Sequence, residues 1–119
     1  MPDWTIKIVP SGSGKGASFA PGAQAAQQDD LVCWNNTTKE THQPWPTDEN
    51  YNPLDVARGS AEYLSDAIPP GQSSRPSYDV AQPAASPPLS EWTVYYYCAK
   101  HPNRTSERGT IVGSLIPDS

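Results

Sequence analysis

Glu91-Trp92-Thr93-Val94-Tyr95-Tyr96-Tyr97-Cys98 places Trp92, Val94 and Tyr96 on one side of an extended chain and Thr93, Tyr95 and Tyr97 on the other. Successive side chains of a strand point to opposite faces, and β-branched and aromatic residues suit that pleated surface, so this stretch reads as a strand. The same period appears at the start of the chain, where Trp4, Ile6 and Ile8 alternate with Thr5, Lys7 and Val9. Leu31-Val32-Cys33-Trp34-Asn35 is a third strand, with Val32 and Trp34 on one face and Cys33 on the other. Thr110–Leu115 reads as a closing strand, Ser73–Val80 as another, and Phe19-Ala20-Pro21 as a short edge segment. Turn residues separate them at Pro10–Gly16, Pro69-Pro70-Gly71 and Pro83–Pro88. Short strands punctuated in this way imply a β-sandwich or barrel.

The segments between are less patterned. Gly22–Asp30 reads as flexible and Thr37–Pro46 as a loop. Residues 47–70 form a long loop or insertion, in which Leu54–Arg58 and Ala61–Leu64 each fit one helical turn. A length of 119 residues fits one domain, spanning residues 1–119. The 14 prolines and 8 glycines stay below the combined share, roughly 25–30%, that signals disorder. Four Trp and six Tyr supply area for a core despite a mean hydropathy of −0.66.

The charge balance excludes several functions. A net charge of −5 and a pI of about 4.7 offer no basic stripe for nucleic acid. No apolar run approaches the roughly 18 residues of a membrane span. Met1-Pro2-Asp3-Trp4 lacks the basic and apolar regions of a signal peptide, as a mature domain would. Ser11–Gly16 superficially resembles a phosphate-binding loop, but Gly16 stands where Ser or Thr is needed and no helical pattern follows.

The chemistry lies elsewhere. The chain has two histidines, His42 and His101, each in a loop just after a strong strand pattern, and His101 is three residues beyond Cys98. One thiolate and two imidazoles form the equatorial set of a mononuclear copper site. The soft thiolate donates charge to Cu(II), and imidazole suits both oxidation states. The competing reading of Cys98 is a buried structural thiol or a Cys33–Cys98 disulfide. Cys33, inside its strand, reads as a free thiol or packing residue.

Asp30-Leu31-Val32-Cys33-Trp34-Asn35-Asn36 followed by His42, and Tyr95-Tyr96-Tyr97-Cys98-Ala99-Lys100-His101-Pro102 ending in Gly109-Thr110-Ile111-Val112, together resemble the cupredoxins, amicyanin-like and plastocyanin-like. Pro70-Gly71-Gln72-Ser73 is similar to the turn before their penultimate core strands. The resemblance implies an antiparallel Greek-key β-sandwich holding one Cu(I)/Cu(II) ion through His42, Cys98 and His101. It implies electron transfer in a periplasm or secreted space, by a monomer that docks a redox partner near His101, Pro102 and Trp45. Trp45 has a second reading, as a ring packed into the core under the long loop. Asn35 would tie the ligand loops together or serve as a plain strand-end residue. Gln43 would support the Cys98 sulfur or face solvent.

The axial position departs from the family. No Met follows Met1, and the amicyanin-like spacing back from Gly109 lands on Glu107. The plastocyanin-like spacing forward from His101 lands on Ser106. The fourth ligand is therefore Glu107, Ser106, water or none. A hard carboxylate favours Cu(II) over Cu(I). An open axial position would instead suit a site that binds or converts nitric oxide, nitrite or peroxide.

Overall fold

Ile6, Ile8, Val32, Trp34, Tyr96 and Ile111 are completely buried, and all sit on strands at alternate positions. The computed structural model describes residues 3–10, 16–75, 77–81 and 89–115. Among the described residues eight strands are formed: β1 (Asp3–Pro10), β2 (Ala17–Ala20), β3 (Ala23–Gln27), β4 (Leu31–Asn36), β5 (Pro44–Thr47), β6 (Tyr78–Asp79), β7 (Glu91–Cys98) and β8 (Arg108–Ser114). They build two four-stranded sheets, ordered β2-β1-β4-β6 and β3-β8-β7-β5. The expected sandwich is present. Its sheets are mixed, because β1 pairs parallel with β4 and β3 parallel with β8, while the remaining pairings are antiparallel.

The sheets meet at Tyr96. Its ring takes edge contacts from Phe19 of β2, with centroids 4.8 Å apart, and from Trp34 of β4, at 5.4 Å. Such edge-to-face pairs add about 0.5–1.5 kcal/mol each beyond the area they bury. On β8 the residues opposite Tyr96 and Trp92 are Gly109 and Gly113. The rings lie directly over these glycines. A methyl group on Gly109 would come within 2.5 Å of the Tyr96 hydroxyl, and one on Gly113 within 2.4 Å of the Trp92 indole. The missing side chains are what let two large aromatics fit between the sheets.

Several sequence expectations need correction. Gly22–Asp30 is not a flexible stretch: Ala23–Gln27 is β3, an edge strand whose Ala and Gln residues carry little strand signal until β8 pairs with them. The 37–46 loop ends early, because Pro44–Thr47 forms β5. Prolines at 44 and 46 hide this strand in the sequence, yet an edge position tolerates the missing donors. The expected strand over 73–80 shrinks to β6, with Ser73 and Ser74 tied separately to β4 through an Asn35–Ser73 bridge and a Ser74 N–H···O Trp34 bond of 2.7 Å. The Pro69–Gln72 turn is as expected, with Gly71 at φ +77° and Gln72 N–H donating to Pro69 O. The turns expected within 10–16 and 83–88 fall mostly on residues 11–15 and 82–88, outside the described ones.

Neither helical turn forms in 47–70. Tyr63, Leu64 and Ile68 are each anchored in the core, and the chain turns at Ala57–Ser60 rather than coiling. The segment lies along the outer side of β5. Leu54 N–H donates to Pro46 O at 3.0 Å, and Trp45 Nε1–H donates to Leu54 O at 2.8 Å. Arg58 donates two hydrogen bonds to Asp66, at 2.8 and 2.9 Å, and the Tyr63 hydroxyl donates a third.

Two outcomes follow from this packing. Gly113→Ala should lower the chemical denaturation midpoint by an amount equivalent to about 1–3 kcal/mol, the usual cost of overpacking; an unchanged midpoint would remove Trp92 as the obstacle. The Arg58 and Tyr63 hydrogen bonds hold the Asp66 carboxyl at about 2, below its ordinary 3.8. That depressed value gives stability that is present above about pH 4 and lost as pH falls towards about 2. Asp66→Asn should therefore bring a small, salt-sensitive loss of thermal stability at neutral pH that fades as the pH falls through that window.

Candidate metal centre

Period-2 parity turns Cys98 inward at the end of β7, and the neighbouring strands index everything else to it. β5 places Pro44 opposite Cys98, so the Gln43 backbone N–H points at the sulfur, 3.5 Å from Sγ, and His42 comes just before it. Ala99 N–H donates to Gln43 O at 2.9 Å and locks that register. On the other side, Cys98 N–H donates to Glu107 O at 3.0 Å, just before β8 begins. A tight turn, closed by His101 N–H donating to Cys98 O at 3.1 Å, folds His101 back over the thiol.

Four donor groups converge as a result. His42, Cys98, His101 and Glu107 each direct one ligand atom into a cluster whose members all lie within 4.8 Å of one another. His42 Nδ1 and His101 Nδ1 lie 3.5 and 3.4 Å from Cys98 Sγ. Glu107 Oε1 lies 2.8 Å from His101 Nδ1 and 3.3 Å from His42 Nδ1. His42, Cys98 and Glu107 are buried, whereas the His101 side chain keeps 18% of its surface exposed. Ser106 is exposed, unlike Glu107. Both cysteines are free thiols, so no Cys33–Cys98 bridge competes for Cys98.

The His42 loop is held by Asn36, not by Asn35. Val32, Trp34 and Asn36 share the buried face of β4, whereas Asn35 has the opposite parity and is only half-buried. Asn36 Nδ2 donates to Glu40 O at 2.7 Å and to Ile68 O at 2.9 Å, and its Oδ1 accepts from Thr38 N–H and the Thr38 hydroxyl. That hydroxyl spends its proton on a carbonyl, so towards His42 it is an acceptor. It stands 2.9 Å from His42 Nε2, which must therefore carry the hydrogen. The network assigns the tautomer and leaves the Nδ1 lone pair facing the cluster, the arrangement a metal-ligating imidazole needs. Two reciprocal backbone bonds with Ile68 fix the His42 main chain.

Burial pushes the Cys98 thiol up and the His42 imidazole down, so both are neutral at pH 7. The set suits one soft-to-borderline metal ion: a sulfur, two imidazole nitrogens and one carboxylate oxygen, with the backbone N–H groups of Gln43, Lys100 and His101 turned towards the sulfur. The expected support from Gln43 comes from its backbone. Its side chain donates to Ser65 O instead. Trp45 takes the packing role: its indole bonds to Leu54 O and its ring meets Tyr63 at 5.8 Å.

No protein-family model matches this sequence. No curated protein sequence matches it either. Solved structures do match. A purple cupredoxin from Nitrosopumilus maritimus aligns with TM-score 0.68 and 18% identity over 94% of this chain and 100% of its own. A Sinorhizobium pseudoazurin gives 0.59 and 16% over 96% and 75%, and a reduced amicyanin variant gives 0.58 and 17% over 94% and 82%. The fold is that of the cupredoxins. Two further matching amicyanin variants, at TM-score 0.55, are Cu(I) forms.

Within this cupredoxin fold, sequence reasoning missed Asn36, Thr38, Glu40 and Arg104. The parity of Val32, Trp34 and Asn36 was the available signal for the first. Asn36→Ala should cost about 1–3 kcal/mol in denaturant unfolding, because it strands polar partners on two segments, Thr38 and Glu40 in the His42 loop and Ile68 beyond it. Asn35→Ala should change stability by no more than about 0.5 kcal/mol. Equal effects would contradict the assignment of Asn36 as the loop tie.

Proposed function

We propose that this chain is a mononuclear copper protein that transfers electrons, with His42, Cys98 and His101 as equatorial ligands and Glu107 as the fourth. The observation that carries the reading is the convergence of a thiol sulfur, two imidazole Nδ1 atoms and a carboxylate oxygen within 4.8 Å at one end of a cupredoxin sandwich. A bound copper ion would supply a one-electron couple between Cu(I) and Cu(II). The protein's part is to hold the donors in place. His42 is fixed by Thr38 and Ile68, Cys98 by the β5–β7 ladder, and Glu107 by donors on its second oxygen. A frame anchored this way changes little between two oxidation states, which keeps reorganisation small.

His101 gives the site its edge towards a partner, since His42 has no exposed surface. Exposed Pro102 adjoins it, so a redox partner would dock there through a small transient contact. A monomer working in a periplasmic or secreted space fits the cupredoxin resemblance. No helix among the described residues is long and apolar enough to cross a membrane.

The alternative of a small-molecule site for nitric oxide, nitrite or peroxide requires an open position. Glu107 Oε1 lies inside the donor cluster, in contact with both imidazoles, which favours a closed site. Protein-film voltammetry of the copper-loaded chain should show one reversible one-electron wave that azide does not shift. Cys98→Ser should abolish the thiolate-to-copper absorption, and Glu107→Gln should raise the potential by removing a hard anionic donor. A wave displaced by azide would favour the small-molecule reading, and no wave would end the copper assignment.

A further inference from the structure

Arg104 and Glu40 belong to different ligand loops and are bound to each other above the cluster. Arg104 Nη1 donates to Glu40 Oε1 at 2.9 Å and Nη2 to Glu40 Oε2 at 3.3 Å, a two-point contact that the planar guanidinium favours. The same Nη1 also donates to Glu107 Oε2 at 3.1 Å. A second donor reaches that oxygen from β2, where Ala17 N–H lies 3.0 Å away. Glu40 Oε2 stands 3.6 Å from His101 Nε2, on the outer edge of that ring.

The two oxygens of Glu107 are thus treated differently. Oε2 is committed to a guanidinium and a backbone N–H, whereas Oε1 faces the two imidazole nitrogens. Resting on the copper reading above, we propose that the Arg104–Glu40 pair is a positioning device that restricts Glu107 to one ligating oxygen and keeps its donor strength low. Arg104 withdraws charge from the carboxylate and occupies its second oxygen. Glu40 keeps Arg104 in place and offsets its charge, so the pair acts without a large net field. A carboxylate free to use both oxygens would favour Cu(II) more strongly, since hard anionic donors suit the higher charge. The pair therefore holds the potential above the value an unrestrained carboxylate would set. Both residues are partly exposed, so the fold does not rest on their burial.

The test removes the pair without changing net charge. In copper-loaded Arg104→Gln/Glu40→Gln, the reduction potential should fall and the Cu(II) electron-paramagnetic-resonance spectrum should change. Arg104→Lys, which keeps the charge but not the two-point contact, should fall between that variant and the native chain. In a Glu107→Ala background the double substitution should shift potential and spectrum far less, because no carboxylate remains to restrain and only the Glu40 contact with His101 is lost. A merely structural ion pair would lower the melting temperature of the metal-free protein and leave both copper readouts unchanged, and that result overturns the proposal. A rise in potential overturns it too, since the pair would then be pressing the carboxylate onto the metal. Failure of the copper reading itself is distinct: the native chain would then show no thiolate-to-copper band at all.

Discussion

The inward parity of β7 is the constraint on which the rest depends. Trp92, Tyr96 and Cys98 share the buried face of one strand. Tyr96 is pinned between Phe19 and Trp34 of the opposite sheet, over a glycine that leaves room for it. With Tyr96 fixed, Cys98 two residues on must point into the end of the sandwich. A one-residue slip of β7 would turn Cys98 to the surface and bring Tyr95 and Tyr97 inward, so the register is strongly specified. The β5 ladder then delivers Gln43 and His42, and the Cys98–Glu107 backbone bond delivers the fourth group.

The cluster carries a cost that the surrounding bonds offset. A buried imidazole and a buried carboxylate are expensive unless their polar atoms are satisfied. His42 Nε2 has Thr38, and Glu107 Oε2 has Ala17 and Arg104. The atoms that face one another across the cluster are His42 Nδ1, His101 Nδ1, Cys98 Sγ and Glu107 Oε1, with backbone N–H groups of Gln43, Lys100 and His101 at the sulfur. The donor set is therefore held in place by contacts that lie outside it.

Much of this was legible in the sequence where the signal was local. The strands around Ile6–Ile8, Val32–Trp34 and Trp92–Cys98 announce themselves by period-2 apolar patterning, and the two ligand loops follow two of them. β3 and β5 were not legible, because Ala-Gln and Pro-rich stretches become strands only when a neighbour pairs with them. The 54–64 segment suggested helical turns, yet its apolar residues serve as separate anchors on β5 and the core. Asn36 fills the role that the cupredoxin resemblance implies for Asn35, and the parity with Trp34 already separates the two. Arg104 and Glu40, 64 residues apart, meet only through the folded chain, and no spacing rule could pair them.

The central claim is that Cys98 and the two histidines form one copper site. It is tested most directly by the visible absorption and electron-paramagnetic-resonance spectra of the Cu(II)-loaded protein at one equivalent. The account predicts an intense thiolate-to-copper charge-transfer band that disappears on reduction, with hyperfine splitting showing an interaction at the fourth position. A colourless protein, or one whose copper signal lacks any thiolate band, would contradict it and return Cys98 to a structural role.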